Sequence, residues 1–313
     1  KYYISIYLKH GCEIKMDWKD LTASNIIEIC CALHNPDSYV VSPVYYLMTG
    51  RKGGRILTLD NKTLIVIKHP NLDNHYLIYP NIIGGENSDL KTELEVAKMM
   101  LRQKCGIKVI IARVPAKIAC RYKNLIVEED YMDWKFPVHI LDVVDVVNQK
   151  GKNFQQIRQR INQLNVHKCR TKEVDAFDDC DVILNMAINW ATMFPYEHYS
   201  IDDLISPTLK LLELMKDSRL SIYGQIVYYD GVPSAYCLWE QHAGIANGFA
   251  MSADRNIPGL AEYNIVEMCR ILESRSVSKI NMGGSESEGL NRFKKKFSPS
   301  DSLNLKSCMV GFA

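Results

Sequence analysis

Three groups of side chains in this sequence have types and spacings suited to chemistry. Lys294 and Lys296 lie between Phe293 and Phe297. The two rings, four residues apart, share one face of a helix and leave the lysines on its flanks. There the lysines are either part of a solvated face or contacts for terminal phosphates, which bind mainly through charge neutralisation. Just upstream, Gly283-Gly284 makes a turn that lets backbone or ligand approach closely. Glu262 and Glu286 are carboxylates able to accept a proton from an attacking nucleophile, and with Lys294 they are the candidate catalytic residues. Glu240 and Glu288 are further candidates of the same kind, although each of these two, like Glu286, reads more readily as a surface carboxylate.

The second group is the loop Arg255-Asn256-Ile257-Pro258-Gly259-Leu260-Ala261, which leads into a helical period. A helix N-terminus attracts anions. Pro258 removes one amide donor, so a plain helix cap is the competing interpretation. The third group runs from Lys150 to Lys172 and contains Lys152, Arg158, Arg160, Lys168 and Arg170, with no acidic residue between its ends. It is either a solvated helix face or the footprint of an anionic partner. No Gly-x-Ser-x-Gly elbow, His-Glu-x-x-His pair or phosphate-loop motif occurs in the chain.

Positioning these residues requires a core, and 313 residues with 47% hydrophobic content can build two domains. The net charge of +2 does not itself call for nucleic acid. Ten cysteines without any Cys-x-x-Cys pairing suggest small hydrophobes in a reducing, cytoplasmic setting, with no metal site. No apolar run has the length of a membrane span, and the alternation from Lys1 to Ile6 is that of a strand, not of a signal peptide. The missing initiator Met is expected to mark a piece of a longer protein.

Apolar spacing in the second half predicts helices over 177–194 and 202–216. The first carries Ile183, Met186, Trp190 and Met193 on one stripe, and the second Leu204, Leu209, Leu212 and Met215. A meander follows over 222–229, 233–240 and 244–252, turned at Asp230-Gly231. Then come a helix from 257 to about 275, a strand over 278–282, a basic helix over 289–297 and a closing strand over 302–312. The first half offers a fainter copy: a helix at 26–33, strands at 55–59, 63–68 and 74–79, a helix over 90–105 and a strand over 108–114. The division is expected at residues 149–152, giving domains 1–148 and 149–313.

This order resembles the GCN5-related N-acetyltransferase (GNAT) fold, an α+β architecture, used twice in tandem. Two stretches are more specific. Gly151-Lys152-Asn153-Phe154-Gln155-Gln156-Ile157-Arg158-Gln159-Arg160-Ile161-Asn162 is similar to the Gly-Lys-x-x-x-x-x-Arg-x-x-Ile-Asn segment of the phosphatidylglycerol lysyltransferase C-terminal domain family and its FemABX-like relatives. The run Ile280 to Pro299 is similar to that family's strand, Gly-rich turn and Phe-Lys-x-Lys-Phe/Tyr-x-Pro ending.

The resemblance implies a slot between splayed strands, here 249–252 and 279–282. Met251, Ser252 and Asn281 would line it, and Arg255, Asn256, Gly259, Leu260 and Ala261 would hold the carrier's phosphates. It also implies aminoacyl transfer from aminoacyl-tRNA to a small-molecule or lipid-headgroup acceptor, with no tightly bound cofactor, and with Lys152, Arg158, Arg160, Lys294 and Lys296 contacting nucleic acid. Glu262 stands where the lipid-transferring enzymes have an aspartate, but their arginine three residues on is replaced here by Ile265. An acyl-coenzyme A N-acyltransferase and a non-catalytic GNAT-like binding module are the alternatives.

Overall fold

The structure, a computed structural model, describes residues 2–7, 13–31, 42–59, 62–79, 90–122, 126–128, 135–193 and 200–311. The chain forms two compact units, residues 1–135 with 304–313, and residues 136–303. Each has a mixed, mostly antiparallel sheet flanked by helices, which makes the class α+β.

Unit 1 contains β1 (Tyr2–Tyr7), β2 (Glu13–Asp20), α1 (Ala23–Cys31), α2 (Pro43–Thr49), β3 (Gly54–Leu59), β4 (Lys62–Lys68), β5 (His75–Tyr79), α3 (Lys91–Gln103), β6 (Lys108–Pro115), α4 (Ala116–Ala119) and β7 (Ile126–Glu128). Unit 2 contains β8 (Val138–Asp142), α5 (Val143–Asn148), α6 (Gln155–Gln163), β9 (Cys169–Glu173), α7 (Cys180–Met193), α8 (Ile201–Leu214), β10 (Ile222–Tyr229), β11 (Val232–His242), β12 (Ile245–Ala253), α9 (Leu260–Ser274), β13 (Lys279–Asn281), α10 (Glu288–Lys295) and β14 (Asp301–Leu303). The last strand, β15 (Leu305–Val310), returns to unit 1.

The sheet orders are β1-β2-β3-β4-β5-β6-β15-β7 and β14-β8-β13-β12-β11-β10-β9. One series occurs in both: three antiparallel strands, a helix, and a fourth strand laid parallel to the third. In unit 1 this is β3-β4-β5-α3-β6, and in unit 2 it is β10-β11-β12-α9-β13. The meander follows from local chemistry, because Asp230 (φ 53) and Gly231 (φ 80) are both left-handed, as a two-residue hairpin turn requires.

Two expectations need correction. The single closing strand is two strands: Asp301–Leu303 pairs with β8 in unit 2, whereas Leu305–Val310 pairs with β6 and β7 in unit 1. The structure likewise divides the chain at 135/136 and again at 303/304, not at 149–152. The physical reason is that β8 binds both β13 and β14 through backbone bonds, which makes Val138–Asp142 part of the second sheet and brings 136–148 into the second unit. Strand exchange of this kind leaves no trace in the period of either segment. Two residues assigned to apolar stripes, Met193 and Leu209, are exposed. Four cysteines, Cys30, Cys237, Cys269 and Cys308, are buried, whereas Cys31, Cys105 and Cys120 are exposed.

Apolar burial under α9 holds the second sheet. Leu141, Cys237, Trp239, Ala246, Ile280 and Met282 pack with Ile265, Val266, Met268, Cys269 and Leu272 of α9 and with Phe297. This core fixes where β12, β13, α9 and α10 meet.

Candidate active site

β12 and β13 pair over three residues only: Ile245 with Lys279, Ala246 with Ile280, and Asn247 with Asn281. Beyond that point the strands part. β12 continues to Ala253 alongside β11, with a bulge at Phe249, where Leu238 pairs with Ala250 and Trp239 with Gly248. A bulge bends and twists its strand. The chain after Asn281 instead keeps to β8: the Met282 N–H donates to the His139 carbonyl at 2.9 Å, and the Phe136 N–H to the Ser285 carbonyl at 3.1 Å. On the β13 side the gap therefore opens three residues later than expected, between 248–253 and 282–285, because 279–281 is still paired. Met251 fills its root, since a side chain at Gly248 would meet the Met251 methyl at 2.4 Å.

A row of buried polar groups crosses the sheet where the strands part. Glu240, Asn247 and Asn281 are register partners and so share one face, and the Asn247 amide donates to the Glu240 carboxylate at 3.3 Å. Asn281 Oδ1 accepts the Gly283 N–H at 2.8 Å and so fixes the turn, in which Gly283 has a φ of 68°.

The other wall is α10, capped at Ser287, whose hydroxyl accepts the Leu290 N–H. Phe293 and Phe297 meet edge to face at 5.4 Å and pack on the core. That turns Asn291 and Lys294 inward. The Lys294 ammonium is buried and donates to the carbonyls of Gly283 and Gly284. Burial pushes its pKa down to about 8, with Glu286 opposing. A lysine carries three N–H donors, so one remains beyond the two backbone bonds. Asn291 is held by His139, whose Nε2 lies 2.7 Å from Asn291 Oδ1 while its Nδ1 lies 2.9 Å from the Ser302 hydroxyl. Desolvation lowers the His139 pKa, which favours the neutral ring. An Nε2–H bonded to the amide oxygen leaves the Asn291 amide nitrogen free to donate elsewhere.

Of the expected site residues, Asn281, Glu286 and Lys294 come together at the gap, with Met251 and Ser252 on the facing strand. Lys294 does not lie on a solvated flank. Glu262 is drawn away: its buried carboxylate pairs with Lys296 at 2.9 Å, and the Lys296 ammonium also sits 5.5 Å from the Phe293 ring. Gly259 begins α9 as its N-cap with a φ of 83°, and a Cβ there would lie 2.1 Å from the Arg160 carbonyl oxygen. α6 is thus pressed against the N-terminus of α9. Leu260 is fully buried, Arg255 and Asn256 are exposed, and the Asn256 N–H is taken by the Asp254 carboxylate.

Three of the seven cations in the basic stretch are reassigned. Arg158 donates to the carbonyls of Gln149 and Gly151 and pins the turn before α6. Lys168 pairs with Asp230 at 2.6 Å, and Lys172 with Asp179 at 2.7 Å. Lys150, Lys152, Arg160 and Arg170 stay exposed. Arg160 and Lys296 line a cavity of about 450 Å³ with Gln156, Gln159 and Gln163. His139 and Asn291 escaped sequence reasoning. The three-residue spacing of Asn291 and Lys294 was the available signal, whereas nothing local marks His139, whose partners lie 152 and 163 residues away.

The family described as "Phosphatidylglycerol lysyltransferase, C-terminal" matches residues 83–305, more than half of the chain. No curated protein matches in sequence. Among solved structures, a conserved protein of unknown function from Bacteroides thetaiotaomicron superposes with a TM-score of 0.73 at 15% identity, covering 95% of this chain and 100% of that one. L-PGS from Bacillus licheniformis superposes at 0.62 with 12% identity, covering 93% and 92%. A tandem GNAT protein from the clavulanic acid biosynthesis pathway superposes at 0.55 with 11% identity, covering 95% and 99%. The fold is thus of the tandem GNAT kind, and the chain, an enzyme of the aminoacyltransferase type, belongs to the phosphatidylglycerol lysyltransferase C-terminal family.

Proposed function

We propose that this enzyme moves an aminoacyl group from aminoacyl-tRNA onto an amine or hydroxyl of a small-molecule or lipid acceptor, and that unit 2 carries the site. The observation behind this is the gap itself: two strands that part after three pairs, with a buried lysine ammonium at the mouth that keeps one N–H beyond its two backbone bonds. In the transfer the acceptor's nitrogen or oxygen attacks the ester carbonyl and forms the new bond. The ester bond to the ribose oxygen breaks, and the proton lost by the acceptor ends on the released ribose hydroxyl.

Glu286, the neighbour whose charge Lys294 feels, takes the acceptor's proton. The remaining N–H of Lys294 and the amide of Asn291 stabilise the oxyanion; preorganised donors of this kind are worth roughly 10²–10³ in rate each. Glu262 with Lys296 shapes the approach without touching the reacting atoms. Lys152 and Arg160 add charge for the nucleic acid.

The coenzyme A alternative is less well supported. Asp254 already occupies an amide of the expected phosphate loop, and α6 covers the N-terminus of α9. Incubating the protein with tRNA charged with a labelled amino acid, together with candidate amines and lipids, tests the proposal. Labelled product that disappears in Lys294→Met supports it. No affinity for charged tRNA even at low ionic strength sinks it, and a rise in melting temperature with coenzyme A alone would turn the assignment to the alternative.

A further inference from the structure

Three glutamines on α6 have no role in the transfer described so far. Gln156, Gln159 and Gln163 are exposed and share one helix face with Arg160. With Lys296 from the end of α10 they line the cavity of about 450 Å³. Their first and last members are separated by about 10 Å along the axis, at 1.5 Å per residue. The packing of Gly259 against the Arg160 carbonyl joins the base of this helix face to α9. The cavity is therefore built between fixed elements. Lys296 follows the end of the helix that carries Lys294, and its ammonium is held by Glu262.

We propose that this cavity seats the single-stranded 3′ end of the donor RNA, with the glutamine amides reading base edges and Arg160 and Lys296 meeting phosphates. The proposal rests on aminoacyl-tRNA being the donor. The carboxamides of Gln156 and Gln159 each offer a donor and an acceptor together, the pairing that matches the edges of unstacked bases, and Gln163 adds its amide N–H while its Oε1 accepts from Arg160 at 3.4 Å. A row of three over two turns suits an extended polar strand. The lining contains no apolar side chain to receive a lipid tail and only two cations. One of those is already shared with Glu262, so neutralisation alone cannot supply the recognition.

The test measures equilibrium binding of the full chain to an RNA hairpin with a single-stranded 3′ tail and to the same hairpin with a blunt end. The variants are Gln156→Ala/Gln159→Ala/Gln163→Ala and Arg160→Gln. All four positions are exposed and the replacements favour helix, so the variants fold, which circular dichroism checks. Wild type should prefer the tailed hairpin by about tenfold or more. The triple variant should lose that preference while its affinity for the blunt hairpin is unchanged. Arg160→Gln should reduce the slope of log K against log salt by about 0.7 for the tailed RNA. If the triple variant keeps the full preference, the cavity is not the seat, while the choice of donor stands. If wild type binds neither hairpin, the donor assignment falls as well. If the triple variant binds both RNAs normally but loses binding to phosphatidylcholine vesicles containing phosphatidylglycerol, the cavity is a lipid site and the inference is overturned.

Discussion

Replacing Lys294 by Met keeps the length of the side chain and removes its charge. In the wild-type protein, burial pushes this amine down to about 8 from an ordinary value of 10.5. Between those values the unfolded chain holds the proton and the folded chain does not, so stability rises with pH across the window. Below pH 8 both states are protonated, and the cost of burying the charge is fully present. At about 1.4 kcal/mol per pH unit the window corresponds to roughly 3 kcal/mol.

Met loses this rise. It also leaves the carbonyls of Gly283 and Gly284 without their donor, at a cost of about 1–3 kcal/mol. The two effects oppose each other at neutral pH, so the difference there is small. The discriminating quantity is how the difference between the proteins changes with pH, because the other titrating groups cancel. Parallel urea denaturation of wild type and Lys294→Met from about pH 7 to pH 10, at matched m values, measures it. The wild type should gain on the variant as pH rises. A difference that stays constant within about 0.5 kcal/mol would refute the buried-amine argument, whatever the variant does to transfer activity.

Three other outcomes are expected. Gly259→Ala places a Cβ 2.1 Å from the Arg160 carbonyl at a φ of 83°, so it should destabilise by about 3 kcal/mol or more, read as a lower urea midpoint at unchanged m. Lys296→Ala leaves the Glu262 carboxylate buried without its partner and should cost about 2 kcal/mol. Adding Glu262→Gln should recover most of that, and strictly additive effects in the double-mutant cycle would contradict the pairing. His139→Leu removes the bonds to Asn291 and Ser302, at about 1–3 kcal/mol. Because the folded ring binds its proton less readily than the unfolded one, wild type should lose stability as pH falls below the ordinary histidine value of 6.5, and the leucine variant should lack that loss.

Periodicity was a sound guide wherever an element's partner lies close in sequence. The meander from Ile222 to Ala253, α9 and α10 all stand within a few residues of where apolar spacing puts them. The parting of β12 and β13 was legible in outline only through the resemblance to the GNAT fold, which implies it. Its register was not, since three pairs more or fewer depend on the Phe249 bulge and on the turn bonded to Asn281. The lysines illustrate the same limit. Phe293 and Phe297 correctly define the buried face of α10, yet Lys294 lies close enough to that face to be buried, while Lys295 is exposed. A one-dimensional spacing of three or four residues cannot separate those two outcomes.

The sequence by itself determined the second-half meander with its helices, the class of fold and the family motifs, because helix and strand periods and tight turns are set by neighbouring residues. Only the tertiary structure decided which strand closes which sheet, which cations are free and which amine is desolvated. Asp230 and Asp179 neutralise Lys168 and Lys172, Ser302 and Asn291 hold His139, and β15 leaves the sheet that β14 joins. Pairing and desolvation depend on distances in space between residues far apart in the chain, and neither is encoded in any local pattern.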